Sequence, residues 1–190
     1  MAHISIIGTG NMGQAIAAVA GRGGHGVQLR GHTDSTAVTG DVVVLAVPYP
    51  AVADVLAARA DQLDGKIVVD ITNPLNFETF DSLTVPADAS ATAEIAAALP
   101  GSRVLKAFNT TFAATLASGA VGDLTTTVLI AGDDADAKST LAGIVTSGGL
   151  KAIDAGSLQR ARELEAIGFL QITLAAGEKI SWTGGFGVAA

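Results

Sequence analysis

The chain contains no cysteine in its 190 residues. That excludes disulfides, thiolate metal sites and a thiol nucleophile. Histidine is scarce too, and His3, His25 and His32 do not fall at metal-ligand spacing. No metal site is expected. Positive charge is thin, with 11 Lys and Arg against 18 Asp and Glu, and the basic residues do not cluster. A net charge of −7 argues against a nucleic-acid partner. There is no long hydrophobic run. The most apolar stretch, 166–177, is broken by Gln171 and Thr173 and is too short to cross a bilayer. The chain opens on a strand pattern rather than on the charged and apolar regions of a signal peptide. A cytoplasmic protein without a membrane partner is the expectation.

Apolar residues are plentiful at 49%, and much of that is alanine, which favours helices and close helix–sheet packing. Val-, Ile- and Leu-rich runs recur at 3–7, 27–29, 41–47, 66–71, 104–107 and 126–131, with a weaker one at 150–153. They are nearly continuous instead of alternating, which is the mark of a parallel sheet covered on both faces. Helical patterns fall between them at 12–22, 51–62, 91–99, 112–118 and 135–146, and a long final helix is expected over about 157–180. This alternation predicts an α/β, Rossmann-like, doubly wound and mostly parallel sheet with helices on both faces. Residues 1–155 would form the dinucleotide-binding domain. Residues 156–190 would form a C-terminal helix and tail, packed on that domain or on a second copy. One connection is unusually short. Only ten residues, Gly31 to Gly40, separate Arg30 from Asp41, too few for an ordinary crossover with its helix. The second strand is therefore expected at an edge, with an open adenosine end.

The stretch Gly8-Thr9-Gly10-Asn11-Met12-Gly13 follows the first apolar run and precedes the first helix. Strand, G-x-G-x-x-G, helix is the dinucleotide-binding arrangement. Gly8 would allow the turn, Gly10 the approach of a pyrophosphate, and Gly13 the packing of helix on strand. The pyrophosphate would meet free N–H groups at the helix start. An NAD site usually closes its second strand with an acid, but this strand ends Arg30-Gly31-His32-Thr33. Arg30, His32 and Thr33 are candidates for a 2′-phosphate, which favours NADP. Asp34 stands close enough to substitute for the missing acid and keeps NAD in view. Downstream strand ends supply Val47, Pro48 and Tyr49 as walls for a ribose, and Asn73, held extended before Pro74, as an amide for the nicotinamide carboxamide.

These features, together with Lys106-Ala107-Phe108-Asn109-Thr110, Ala131-Gly132-Asp133-Asp134-Ala135 with Lys138, and Asp154-Ala155-Gly156-Ser157-Leu158 followed by Ala161-Arg162-Glu163-Leu164-Glu165, resemble one family. It is the NADP oxidoreductases of the coenzyme F420-dependent type, to which the cytosolic domain of the six-transmembrane metalloreductases is also similar. A compact bacterial subgroup of dinucleotide-binding oxidoreductases, with endings like Trp182-Thr183-Gly184-Gly185-Phe186, looks nearest. The resemblance implies hydride transfer between NADPH and a flavin or deazaflavin (F420-like) ring. It implies that Thr9, Gly10, Asn11, Met12 and Gly13 hold the diphosphate. It also implies that Ala46, Val47 and Pro48 line the nicotinamide side with Asn73 and Ala107 nearby. The family usually carries Gly-Ser-Arg or similar where this chain reads Arg30-Gly31-His32-Thr33, so the phosphate contacts transfer poorly.

Direct hydride transfer needs alignment and dryness, not a side-chain nucleophile. No catalytic side chain is assigned, and no paired carboxylates are evident. Asn109, Thr110 and Thr111 are expected in the acceptor pocket. Phe108 and Phe112 either stack on a ring or fill core. Trp182 either covers the acceptor as a flap or docks with the tail. Glu163 and Glu165, near Arg160 and Arg162, read as solvated or paired structural charges. Beyond them the helix is apolar nearly all round, with Ile167, Phe169, Leu170, Ile172 and Leu174. Such a helix is expected to be buried, here in a homodimer. Two alternatives compete. Imine reductases and hydroxyacid dehydrogenases share the glycine turn but append a long helical domain, for which 190 residues leave no room. An NADP(H)-binding sensor without turnover is the other.

Overall fold

In a computed structural model, residues 1–31 and 33–189 are described. His32, one of the 2′-phosphate candidates, lies outside the described residues. The chain runs β1 (His3–Ile7), α1 (Asn11–Arg22), β2 (Gly26–Arg30), β3 (Val42–Leu45), α2 (Val52–Leu63), β4 (Ile67–Asp70), α3 (Ala91–Ala98) and β5 (Arg103–Lys106). It continues through α4 (Ala113–Ser118), a small hairpin of β6 (Ala120–Val121) and β7 (Leu124–Thr125), β8 (Thr127–Gly132), α5 (Ala135–Ser147), β9 (Lys151–Gly156) and α6 (Ala161–Ala176). The seven-stranded sheet has the order β2-β1-β3-β4-β5-β8-β9. β2 is an edge strand, as the short connection to β3 requires.

Alternation along each strand divides the core in two. Ile4, Ile6, Val42, Val44, Ile67 and Val69 pack on one face with Ile16, Val19, Leu116 and Leu141 from α1, α4 and α5. Ile7, Val43, Leu45 and Val68 pack on the other with Val55, Leu63 and Ile95 from α2 and α3. Residues of both parities are buried, so the strands read as unbroken apolar runs. The side chains removed from water on both faces contribute about 1.5–3 kcal/mol each.

One reversal interrupts the parallel order: β8 runs antiparallel to β5, through Leu105–Gly132 and Lys106–Ala131. α4 and the hairpin carry the chain there instead of a full crossover.

α6 differs from expectation in two ways. It ends at Ala176, four residues before Ile180, because Glu178 takes a left-handed φ of 58° and Lys179 N–H closes back on Leu174 O at 2.8 Å. Its inward face is also small or polar apart from Leu164: Ala161, Glu165, Gly168, Gln171 and Ala175. Ile167, Phe169, Ile172 and Leu174 are only half-buried, and Leu170 is 50% exposed. The helix is buried in this chain by its small side, not its apolar one. Among the described residues, no helix is long and apolar enough to cross a membrane.

Candidate functional site

The Gly8–Gly13 turn is built so that only glycine fits at its two ends. Gly8 has φ +124°, and a Cβ there would stand 2.0 Å from the Ala46 carbonyl oxygen. A Cβ on Gly13 would stand 2.0 Å from the Gly8 carbonyl oxygen. Between them, a Cβ on Gly10 would meet nothing within 4 Å. The start of α1 has no side-chain cap, so its first N–H groups, on Asn11, Met12 and Gly13, are open. Gly8 N–H donates to Arg30 O at 2.7 Å and Ala46 N–H to Ile7 O at 2.8 Å, which fixes the turn between the ends of β2 and β3. Free amides, a positive helix end and an empty space suit a diphosphate. The residues present fit a dinucleotide.

The turn opens into a cavity of about 430 Å³. Asn11 and Met12 from the start of α1, Asn73 and Asn109, and the rings of Phe77, Phe112 and Trp182 are among its lining. Asn73 and Asn109 grip one another. Asn109 Nδ2 donates to Asn73 Oδ1 at 2.9 Å, and Asn73 Nδ2 donates to Asn109 O at 3.0 Å. Asn109 Nδ2 also donates to Leu164 O in α6 at 2.8 Å. The helix can come this close because residue 168 is glycine: a Cβ there would lie 2.2 Å from Asn73 Oδ1. Phe108, buried, turns the chain from β5 into this wall with a left-handed φ of 63°. Backbone held this way costs about 1–3 kcal/mol and collects at functional sites.

The tail closes the cavity from outside. Gln171, 1% exposed, donates from Nε2 to Thr110 O at 3.3 Å and accepts Phe186 N–H at 2.8 Å. Trp182 is thereby laid against Phe112, ring centroids 5.0 Å apart.

Behind the wall lies a buried ionic cluster that the sequence reading missed. Lys106 Nζ is 2.8 Å from Asp70 Oδ2 and 2.9 Å from Glu165 Oε1, and it donates to Thr72 O at 2.5 Å. All three charged side chains have zero exposure. Thr92 Oγ1 donates to Asp70 Oδ2 at 2.8 Å. Ala91 N–H and Thr92 N–H donate to the Glu165 carboxylate at 3.0 and 3.3 Å, so Glu165 caps α3. The cluster's excess negative charge faces the positive end of that helix. Glu165 is therefore the paired structural charge and not the solvated one, its partner being Lys106 instead of a neighbouring arginine, and Asp70 and Glu165 are paired carboxylates sharing one ammonium, where none were evident from the sequence. Glu163 does pair at the surface, with Arg160 at 3.4 Å. One signal pointed to the cluster: Asp70 and Lys106 each place a charge next to the last residue of an apolar run, at 66–71 and 104–107.

The remaining expected residues separate. Ala46 flanks the glycine turn, whereas Val47 and Ala107 are buried in the two cores. Pro48 and Thr33 are exposed. Arg30 lies at the end of β2 beside Gly8, with Nη1 3.5 Å from Asp34 Oδ2. Asp34 is held below its ordinary carboxylate range, mainly by the hydroxyl and N–H of Thr36 and further by Arg30. Tyr49 donates to Glu94, and burial with that bond pushes its hydroxyl up to about 12. His25 accepts Ala2 N–H at Nδ1 (3.1 Å) and meets Ser147 Oγ at Nε2 (2.9 Å), far from the turn in a structural role. Among the described residues, no group of three or more acids and histidines could hold a metal.

A glycine turn at the carboxyl end of β1, an uncapped α1 and a cavity across the strand ends define a dinucleotide-binding α/β protein of the Rossmann class. The chain belongs to the family described as NADP oxidoreductase coenzyme F420-dependent, whose model matches residues 24–74. It is 33% identical over 149 residues to the F420-dependent NADP reductase of Methanocaldococcus jannaschii, covering 76% of this chain and 66% of that protein. It is 39% identical over 112 residues to Metalloreductase STEAP3 of Rattus norvegicus, covering 59% of this chain but only 22% of that protein. A crystal structure assigned as an F420-dependent NADP-reductase from Arthrobacter sp. FB24 superposes with a TM-score of 0.82 at 27% identity, over 98% of this chain and 99% of that one. An imine reductase from Bacillus cereus, at 18% identity and TM-score 0.64 over 95% of this chain and 63% of that one, shares the fold alone.

Proposed function

We propose that this protein is an NADP(H)-dependent oxidoreductase that passes hydride between the nicotinamide and a flat redox ring, a flavin or a deazaflavin of the F420 kind. The observation that carries this reading is that Asn11 and Met12, which bear open amides, line the same cavity as Phe77, Phe112 and Trp182. The family supports the nucleotide. The rings of Phe77, Phe112 and Trp182 on the cavity lining support a planar acceptor.

In this reading the N–H groups of Asn11, Met12 and Gly13 hold the diphosphate. Ala46 and Pro48 wall the nicotinamide side, with Asn73 near the reacting face, while Val47 and Ala107, buried in the cores, back this wall and touch no ligand. Arg30, His32 and Thr33 receive the adenosine 2′-phosphate, and NAD is the weaker alternative. The bound nucleotide supplies the hydride. The chain's own part is to align the two rings and exclude water, which is enough for direct transfer. Residues 156–190 act as a cover on the 1–155 domain, through Gly168, Gln171 and Trp182. The outward apolar side chains of α6, Leu170 foremost, are read as the seat of a homodimer. A monomeric mass by light scattering would remove that part alone.

The test is anaerobic NADPH oxidation with riboflavin, FMN, FAD and F420 in turn. Turnover with at least one ring supports the proposal. Binding of NADPH without turnover on any of them leaves a nucleotide sensor as the reading.

A further inference from the structure

The short β2–β3 connection is tied down by side chains from beneath. Arg59, 4% exposed, donates from Nη1 to Thr36 O at 2.9 Å. Gln62 Oε1 accepts Val38 N–H at 2.9 Å, and Gln28 Nε2 donates to Ala37 O at 3.1 Å. On this anchored loop, Asp34 Oδ1 accepts both the N–H and the hydroxyl of Thr36, at 2.8 and 2.6 Å. Its other oxygen, Oδ2, is left facing Arg30 Nη1 at 3.5 Å, and Arg30 Nε has no partner among the described residues.

We propose that Asp34 sets cofactor selectivity by standing on Arg30 as an internal counter-anion. A 2′-phosphate must displace it, whereas a ribose 2′-hydroxyl need not. The inference rests on the nucleotide reading given under Proposed function. A phosphate dianion arriving at Arg30 would meet a fixed carboxylate. A hydroxyl would find in Oδ2 an acceptor. The two side chains are 30% and 33% exposed, so the pair is weak enough to open. Arg30 thus keeps NADPH as a ligand while Asp34 erodes its advantage over NADH.

The test is calorimetric titration of NADPH and NADH into the wild type, Asp34→Asn and Arg30→Ala. Asp34→Asn retains an oxygen for Thr36 and so preserves the loop. It should tighten NADPH by about five- to tenfold and weaken NADH by about two- to fivefold, since the oxygen that would accept the 2′-hydroxyl becomes an amide NH2. The gain should shrink at high salt, as a lost repulsion between exposed charges must and a purely structural change would not. Arg30→Ala should weaken NADPH selectively. An unchanged NADPH affinity in Asp34→Asn, or an equal change for both nucleotides, overturns the inference while leaving the nucleotide reading intact. A wild type that binds neither nucleotide overturns both.

Discussion

The ammonium of Lys106 lies 2.9 Å from the carboxylate of Glu165, and neither is exposed. This contact ties β5 to α6 directly behind the Asn73–Asn109 wall. Through Thr72 O, Lys106 also holds the loop that presents Asn73. Replacing Lys106 with Met would leave two buried carboxylates without their cation. The expected loss is about 3–5 kcal/mol of stability, measured by urea unfolding. Glu165→Gln keeps an acceptor for Ala91 N–H and should cost clearly less. Equal, small losses in both would show that the cluster contributes little.

Tyr49 is the only tyrosine, so its ionisation can be followed by phenolate absorbance. The midpoint should fall near 12 instead of the usual 10.0, first because of burial and then because of Glu94. Because the folded value is raised, the stability linked to Tyr49 is full below pH 10 and declines as pH climbs toward 12. Glu94→Gln should bring the midpoint down part of the way. A midpoint at the ordinary value in the folded wild type would contradict this environment.

Trp182 is likewise single, and its emission reports the tail. Gln171→Ala removes the acceptor of Phe186 N–H and the donor to Thr110 O. The tail should loosen and Trp182 emission shift to the red, with the far-ultraviolet circular dichroism unchanged. An unshifted spectrum would mean that the Phe112 contact alone holds the tail.

Some of this was legible in the chain because it is local. The glycine turn announces itself because Gly8, Gly10 and Gly13 have fixed spacing within one strand–helix step. β3 and β4 are continuous apolar runs because both their faces are covered, and the ten residues after Arg30 were too few for a helix, which put β2 at the edge. What escaped depends on distant partners. Nothing in β8 itself tells that it reverses. Burial of Glu165 depends on Lys106 and on the start of α3. The inward side of α6 was not legible because the helix reads as apolar nearly all round, yet Gly168 is what lets it reach Asn73. A glycine inside that helix was the available sign of close approach.

The central claim is that the amides from Gly10 to Gly13 receive a dinucleotide's diphosphate. Gly10→Ala tests it most directly, since the added methyl touches no protein atom within 4 Å and Gly10 keeps an ordinary φ of −70°. The account predicts an unchanged melting temperature together with NADPH affinity weakened at least about tenfold. NADPH bound as tightly by Gly10→Ala as by the wild type would contradict it.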